Sequence, residues 1–567
     1  MALAGPGATS PTVGTLATDG KSVVSYSGYL NGESFQQEGI TSYNGWQYTA
    51  YWNSAGNAVI ARRQLPSGSW QKVVLTDYTS TSTDSHNVIC LGICRGDGSI
   101  HLSFDLHDST LEYRKSVTGL ATSPSSFSWT PSQFGAVQNQ LYGTVLTGVT
   151  YPAFINAPGG KLQLALRIGA SGSGDEYLYE YSNGTWTSLG KFIDGISSSV
   201  NAYLFGIEYD RFGRLHTTWT WRDTPNGSSN HDLMYAYSDD QGRTWKNNAG
   251  TTIAASGASF ITPASSGIKV WTIPQNRGLM NQESQVVDGN GIVHVIASHL
   301  PDSAPNNSDF NSARLSVVLH HYFQNTNGTW ARQATPFTEG LSRSDVGVDS
   351  QNNLYVITGN SSTYKLHVES ASAASGWSDW TLDYTSSGIY FSDPLLDHQR
   401  LLTDGKLSVF SPRVKSGTID ILDFGAGGPV PSGTYSLRNR SSGKMLDNLG
   451  STANGARVGQ WTDGTSDNQK WMLTYTTGVA HLMCVTGNQC LDSLGHVGNG
   501  STVGQWAANP SPNQQWTIQD IGAGYYKVIN RANGLCLDTG GISTNGSTMQ
   551  FWASGGSYNQ QWQFMAP

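Results

Sequence analysis

The stretch SHNVICLGICRGDGSIHLSFDLH, Ser85 to His107, sets a Gly-rich turn between two apolar strands. TYPAFINAPGGKLQLALR, Thr150 to Arg167, repeats the pattern. In a β-hairpin, residues equidistant from the turn sit opposite one another. His86 is therefore expected beside His107, and Tyr151 beside Arg167. Four polar or titratable side chains then gather at the far end of two successive hairpins.

The same kind of turn recurs along the chain. Asp97-Gly-Ser-Ile-His101, Asp210-Arg-Phe-Gly-Arg-Leu-His216, Asp288-Gly-Asn-Gly-Ile-Val-His294 and Asp349-Ser-Gln-Asn-Asn-Leu-Tyr355 are joined by weaker copies at Gly159-Gly-Lys-Leu162 and Asp404-Gly-Lys-Leu407. Successive copies lie about 50 to 80 residues apart, the spacing of four-stranded propeller blades with insertions. With an N-terminal unit around Trp46-Gln-Tyr-Thr-Ala-Tyr51, the natural count is seven blades over residues 1–425. Ser238-Asp-Asp-Gln-Gly-Arg-Thr-Trp245 fits the Asp-box S-x-D-x-G-x-T-W, a hairpin signature of sialidase-like propellers. His101, His216 and His294 recur at one place in the blade and read as core positions.

Near residues 424–432 a strand-like TIDILDF gives way to GAGGPVPSG, so a Gly/Pro linker is expected at 426–431. Beyond it, Leu446-Asp447, Cys490-Leu491-Asp492 and Cys536-Leu537-Asp538 are followed by Trp461, Trp506 and Trp552, then by NQKW, NQQW and NQQW ending at Trp471, Trp516 and Trp562. The period of 45 to 46 residues implies three units closed into one core. Residues 432–567 resemble the ricin-B type lectins, the QxW β-trefoils. The resemblance implies one sugar pocket per lobe: Asp447, Trp461 and Asn468; Asp492, Trp506 and Asn513; Asp538, Trp552 and Asn559. Gln550 alone matches the Gln that often precedes the stacking aromatic by two residues, Gly459 and Gly504 standing elsewhere, which favours the third lobe. Trp471, Trp516 and Trp562 read as structural. The expected fold class is all-β, a seven-bladed β-propeller followed by a β-trefoil.

Composition agrees. With 66 Gly, 18 Trp, 26 Tyr and 13% charged residues in 567, turns and aromatic strands are favoured over helices. A net charge of −8 gives no footprint for nucleic acid and does not favour anionic lipid, so an acidic substrate must be held by local cations. No segment approaches the roughly 20 apolar residues that span a bilayer. The Met1-Ala-Leu-Ala-Gly5 start lacks a signal peptide's basic and apolar regions. Together with sequons at Asn183-Gly-Thr185 and Asn327-Gly-Thr329, the chain reads as a mature, secreted, extracellular monomer with an added initiator Met. The five cysteines allow two short-range disulfides, Cys90–Cys94 and Cys484–Cys490, with Cys536 left over; five buried thiols are the alternative.

Extending the hairpin rule, Tyr203 should face Trp221 and Asn281 should face His299; with His231 these form a second tier of channel-lining residues. Arg167 decides the chemical class, because its guanidinium can hold a carboxylate through two parallel hydrogen bonds. Beside two histidines and a tyrosine it supplies what β-elimination from a uronic acid needs: charge withdrawal at the carboxylate, a base for the C5 proton and an acid for the departing O4 oxygen. No pair of carboxylates at this level suggests a glycosidase.

Residues 84–420 look like the BNR-type seven-bladed propeller polysaccharide lyases. They are similar to ulvan lyases and, in DSHN, IHLSFDLH, TYPAF and RFGRLHTTWTWRDTP…NHDLMYAYSDD, to L-rhamnose-α-1,4-D-glucuronate lyases. The resemblance implies that His86, His107, Tyr151 and Arg167 are catalytic, Arg167 and one His neutralising the carboxylate while Tyr151 and His107 serve as base and acid. It implies no cofactor for the chemistry; members can hold a structural calcium ion in the channel. The leading expectation is an exo-acting lyase on arabinogalactan or gum arabic side chains, anchored through galactose or arabinose units at the trefoil. The alternatives are an ulvan lyase, a rhamnosidase hydrolysing the same bond, and a non-catalytic lectin.

Overall fold

The computed structural model describes residues 6–565 apart from 23, 26–27, 34–37, 339–340, 361, 391–392, 427–429, 431–432, 477–478 and 522–524. The expected start at Met1 and most of the linker at 426–431 lie outside the described residues. The chain divides into two compact units, Ser10–Phe424 and Gly425–Pro567 with Met1–Thr9.

The larger unit is a propeller of seven antiparallel blades. Blade 1 runs through Ile40–Tyr43, Trp46–Trp52, Ala58–Gln64 and Gln71–Leu75. Blade 2 has Ile89–Ile93, Ile100–Phe104 and Tyr113–Lys115, its fourth position marked by bridges Tyr113↔Gln138 and Ser116↔Phe134. Blades 3 and 4 begin at Val149–Asn156 and Asn201–Tyr209 and touch through one parallel pair, Gly174↔Asn201. Blades 5 and 6 begin at Ser284–Val287 and Leu341–Val348. Blade 7 takes Leu395–Leu396, Lys406–Pro412 and Ile419–Gly425 from the C-terminal side and is completed by Thr12–Ala17, with Thr12 opposite Asp423. This N-terminal strand closes the ring and so removes the exposed edge an open array would carry.

The recurring Asp turns are fastenings between strands. Asp210 Oδ1 accepts from the N–H groups of Phe212 and Arg214, while Oδ2 faces His216 Nε2 at 3.3 Å. His216 Nδ1 in turn meets the Tyr235 hydroxyl of the next strand at 2.9 Å. Asp288 and His294 repeat the arrangement at 3.7 Å, and Asp349 reaches Tyr355 at 3.4 Å. The Asx turn thus ties the hairpin to a buried ring two strands deep, which is why the motif recurs by blade. In the Asp-box, Asp240 accepts from Thr244 N and Oγ1, and buried Trp245 stacks on Phe192 at 4.7 Å.

All five cysteines are free and buried, so of the two readings the five buried thiols hold and neither possible disulfide is formed. Cys90 and Cys94 are four residues apart at the end of one extended strand, roughly 13 Å, too far for a bridge. Cys490 pairs with Met483, which puts Cys484 on the opposite face of the sheet.

In the smaller unit, Gly433–Asn439, Trp471–Thr476, Val479–Cys484, Trp516–Asp520, Tyr526–Asn530 and Trp562–Met565 build the barrel of a β-trefoil. Trp471, Trp516 and Trp562 are fully buried, their Nε1–H groups donating to the carbonyls of Leu446, Leu491 and Leu537 at 3.0, 3.1 and 3.0 Å. Each repeat supplies one such indole to a shared core. Among the described residues no helix is long and apolar enough to cross a membrane.

Blade 5 buries four histidines. His299 stacks on His320 at 3.9 Å, and His294 Nδ1 meets His321 Nε2 at 3.0 Å. Both His320 nitrogens are buried without a hydrogen-bond partner. Burial, with Arg332 beside it, pushes His320 down to about 4. An unfolded histidine titrates near 6.5, so the unfolded chain binds more protons below that pH. The resulting stability is intact above about pH 6.5 and is lost as pH falls toward 4. The thermal midpoint of the propeller should fall less steeply over that window in His320→Leu than in the parent protein; identical slopes would contradict the assignment.

Candidate active site

The first hairpin folds as its symmetry requires. Ile89 pairs with Phe104, and the same register continued outward brings His86 and His107 together with ring centroids 4.0 Å apart and planes 14° from parallel. Asp84 joins them: His86 Nδ1 lies 2.6 Å from Oδ1 and His107 Nδ1 lies 2.6 Å from Oδ2. With both Nδ1–H groups donating to one carboxylate, each neutral ring carries its basic lone pair on Nε2. Burial opposes ionisation of Asp84, but the hydrogen bonds from His107 and His86 hold its carboxyl well below the usual range. Burial lowers His86, Asp84 pulling against it and His107 adding to it. The stacked rings are 14% and 25% exposed, within reach of a ligand. Asp84 was not among the expected site residues, although it stands two residues before His86 in DSHN.

Tyr151 reaches the same place by a different route. Thr150 pairs with Arg167 and Ala153 with Ala165, so a bulge absorbs one residue between them. Thr150, not Tyr151, is the direct partner of Arg167. Tyr151 sits in the bulge with φ +57°, a left-handed conformation that costs a bulky residue roughly 1–3 kcal/mol and is held where the surroundings over-determine it. Its ring centroid is 5.9 Å from that of His86 and 6.1 Å from that of Tyr203.

Arg167 differs from expectation. It is 1% exposed, with Nη2 donating to Thr150 Oγ1 at 2.9 Å, Nε and Nη1 buried without partners, and its guanidinium carbon 4.9 Å from the Tyr151 ring centroid. A group so covered is not open to fork a substrate carboxylate; its guanidinium faces the Tyr151 ring instead. Burial pushes Glu176, which faces Arg167 across the ladder, up to about 8.

Two further arginines converge here. Arg222 donates from Nη1 to the Tyr203 hydroxyl at 3.2 Å and from Nη2 to Asn281 Oδ1 at 2.8 Å. Arg343 donates from Nε to the Asn281 carbonyl at 2.8 Å and lies 3.4 Å from Asp393 and 3.8 Å from Glu33. Both are half-buried. Glu33 and Asp393 form a carboxylate pair that the sequence did not indicate, but both are buried, where they hold Arg343 rather than meet a ligand. Burial and the neighbouring Tyr203 hold Tyr151 above the usual tyrosine value, against the pull of Arg167, Arg222 and Arg343. Against burial, Arg222 and Arg167 bring Tyr203 below the usual tyrosine value. Arg222 is the one cation on its strand, LHTTWTWR, just as Arg167 follows LQLAL on its own; that parallel is the signal the sequence holds for it.

The remaining second-tier residues separate. Tyr203 and Asn281 belong to the cluster. Trp221 does not: a bulge between Leu204 and Gly206 leaves it paired with Ala202, and it packs with Trp219 in the blade core. His299 is buried, its Nε2 2.7 Å from the Tyr322 hydroxyl, and does not line the channel. His231 is held between Asp232 and Asp223, each at 3.1 Å; despite burial these carboxylates raise its pKa. As for a metal, Asp84, His86 and His107 are the one group among the described residues with suitable spacing. Two imidazoles and one carboxylate do not suit calcium, which takes six to eight oxygens, so no step is assigned to that ion.

In the trefoil the three expected pockets have one geometry. Asp447, Asp492 and Asp538 accept through Oδ2 from Gln469, Gln514 and Gln560 at 2.9, 2.9 and 3.0 Å. Trp461, Trp506 and Trp552 stand directly across the ladder from Met445, Cys490 and Cys536 and are 46%, 43% and 44% exposed. Asn468, Asn513 and Asn559 are half-buried. Gln550, opposite Asp538, packs over Gly540. The indole platforms are equally open and do not set the third lobe apart.

Residues 46–337 match the family described as BNR repeat-containing family member, and residues 433–562 match the ricin-type beta-trefoil lectin domain. The long isoform of ulvan lyase from Pseudoalteromonas sp. (strain PLSV) is 27% identical over 207 residues, 30% of this chain and 21% of that protein; the Alteromonas sp. (strain LOR) protein matches to the same extent. The chain thus spans about a fifth of the length of these curated relatives. Among solved structures, the polysaccharide lyase Uly1 superposes with a TM-score of 0.56 at 18% identity, over 73% of this chain and 99% of its own. An ulvan lyase bound to -[GlcA(1-4)Rha3S]- gives 0.55 at 15%, over 74% and 98%. At these identities the likeness establishes the propeller fold.

Removing the shared carboxylate charge should lower the His86 pKa further, because Asp84 is what opposes burial there. Nitrogen-15 NMR titration of Asp84→Asn is expected to place His86 below the parent protein; an unchanged value would mean that Asp84 does not hold the ring.

Proposed function

The chain belongs to the BNR repeat-containing family, and on that premise we propose that it is a polysaccharide lyase cleaving the L-rhamnose-α-1,4-D-glucuronate bond by β-elimination. The observation that carries this reading is the Asp84-bridged histidine pair facing a strained tyrosine among three guanidiniums.

The uronate carboxylate docks against half-buried Arg222 and Arg343, whose charge draws electron density from the carboxyl group and acidifies the C5 proton. A base takes that proton, the electron pair moves to form the C4=C5 double bond, the C4–O4 bond breaks, and an acid protonates O4 as rhamnose departs. Tyr151 and His107 fill the two roles. Arg167, stacked behind Tyr151, stabilises its phenolate, and His86, kept neutral by burial, completes the hydrogen-bonding wall. Asp84 fixes the tautomer of both rings, a positioning role.

The substrate we assign is the rhamnose–glucuronate terminus of arabinogalactan or gum arabic side chains, attacked in exo mode by a secreted enzyme. The ricin-type domain anchors the chain on galactose or arabinose units and raises the local substrate concentration. Ulvan is the second reading, favoured by the ulvan lyase relatives.

Incubation with gum arabic should raise ultraviolet absorbance from the conjugated C4=C5 bond together with free rhamnose. Tyr151→Phe should lose roughly 10²–10⁴-fold in turnover, the usual range for a proton-transfer group, at unchanged thermal midpoint. Rhamnose without absorbance would make the enzyme a hydrolase, and activity on ulvan alone would move the substrate to the second reading.

A further inference from the structure

The three exposed indoles of the trefoil are each gripped by a different lobe from their own. Gly455 N–H donates to the carbonyl of Gln505, just before Trp506, at 2.8 Å, and Asn454 Oδ1 accepts from the N–H of Ala507, just after it, at 2.8 Å. About Trp552 the same two bonds come from Gly500 to Phe551 at 2.7 Å and from Ala553 to Asn499 at 2.8 Å. About Trp461 they come from Gly546 to Gln460 at 2.8 Å and from Thr462 to Asn545 at 3.0 Å. The first lobe grips the second, the second the third and the third the first.

The strands that carry these tryptophans are short: Gly459–Trp461, Gly504–Ala507 and Gln550–Trp552. Their own ladders leave the indole at a strand end or one residue from it, and the two bonds from outside flank the residue on both sides. The Asn-Gly turns also border the ring. Gly455, Gly500 and Gly546 have φ of +79°, +79° and +80°, and a Cβ on each would stand 3.5, 3.8 and 3.4 Å from the indole of the gripped tryptophan. A platform fixed before binding loses less conformational entropy when a sugar stacks on it.

We propose that Asn454, Asn499 and Asn545 are positioning residues for the sugar platforms Trp506, Trp552 and Trp461, so that each pyranose pocket is built from two lobes and the three pockets form a cycle. The proposal rests on the reading that these indoles take the apolar face of a sugar.

The full chain labelled with 5-fluorotryptophan tests it by fluorine NMR, the three exposed signals being assigned through Trp461→Phe, Trp506→Phe and Trp552→Phe. Asn454→Ala should shift or broaden the Trp506 signal and leave Trp461 and Trp552 in place. Asn499→Ala should act on Trp552 and Asn545→Ala on Trp461. Asn454→Asp, which keeps the acceptor oxygen, should restore the parent Trp506 signal. A shift at Trp461, the lobe that owns Asn454, or at none of the three would overturn the proposal; so would an effect on all three that Asn454→Asp does not rescue. Titration with D-galactose should then show a several-fold weaker response at Trp506 alone in Asn454→Ala. Galactose that moves none of the parent signals would sink the galactose reading, while the ligand-free spectra still decide the cross-lobe grip.

Discussion

One carboxylate shared between two stacked imidazoles sets the character of the propeller site. Asp84 accepts from Nδ1 of both His86 and His107, and neither ring can turn without giving up a charge-assisted bond at 2.6 Å. The rest of the cluster is arranged around that fixed pair. Tyr151 is brought to it by a bulge that costs backbone strain, and Arg167 is buried behind the tyrosine with two N–H positions unpartnered. An orphaned buried donor costs about 1–3 kcal/mol. A fold that carries both costs at one point is organised there for something other than stability.

The propeller supplies the rigidity for this. Closure of blade 7 by Thr12–Ala17 ties the N-terminal strand to the last blade, and the Asp-turn fastenings lock individual hairpins to their third strands. The site draws on blades 2, 3, 4 and 6 and on the segment before blade 5, so its geometry depends on the ring as a whole. The trefoil solves the opposite problem. Its exposed indoles stand at or next to the ends of three- and four-residue strands, and hydrogen bonds from neighbouring lobes flank each of them.

Much of this was legible in the residues. Repeats spaced by turns gave seven blades and three lobes because each unit must bury one apolar face against the next. The pairing of His86 with His107 followed from hairpin symmetry because nothing interrupts that ladder. Symmetry failed by one residue at Tyr151 and at Tyr203, where bulges absorb a residue that no local pattern announces. The shift of one pairs Trp221 with Ala202 instead of Tyr203, and Trp221 packs in the core on the same strand face as Leu215 and Trp219. Arg167 looked like a carboxylate fork because it is a lone cation on an apolar strand; depth of burial decides otherwise and is not written in the strand. Asp84 and Arg222 lie inside the DSHN and RFGRLHTTWTWRDTP segments, but no local pattern marks them: Asp84 takes its place by bridging His86 to His107 on the far arm of the hairpin, and Arg222 by reaching Asn281 in the segment before blade 5.

The most direct test of the account is the turnover of Asp84→Asn on a rhamnose–glucuronate substrate, read as C4=C5 absorbance, with circular dichroism showing the fold intact. Loss of the shared acceptor frees both histidine tautomers, and the account predicts a fall of roughly 10²–10⁴-fold in kcat. Turnover within a few-fold of the parent enzyme would contradict it.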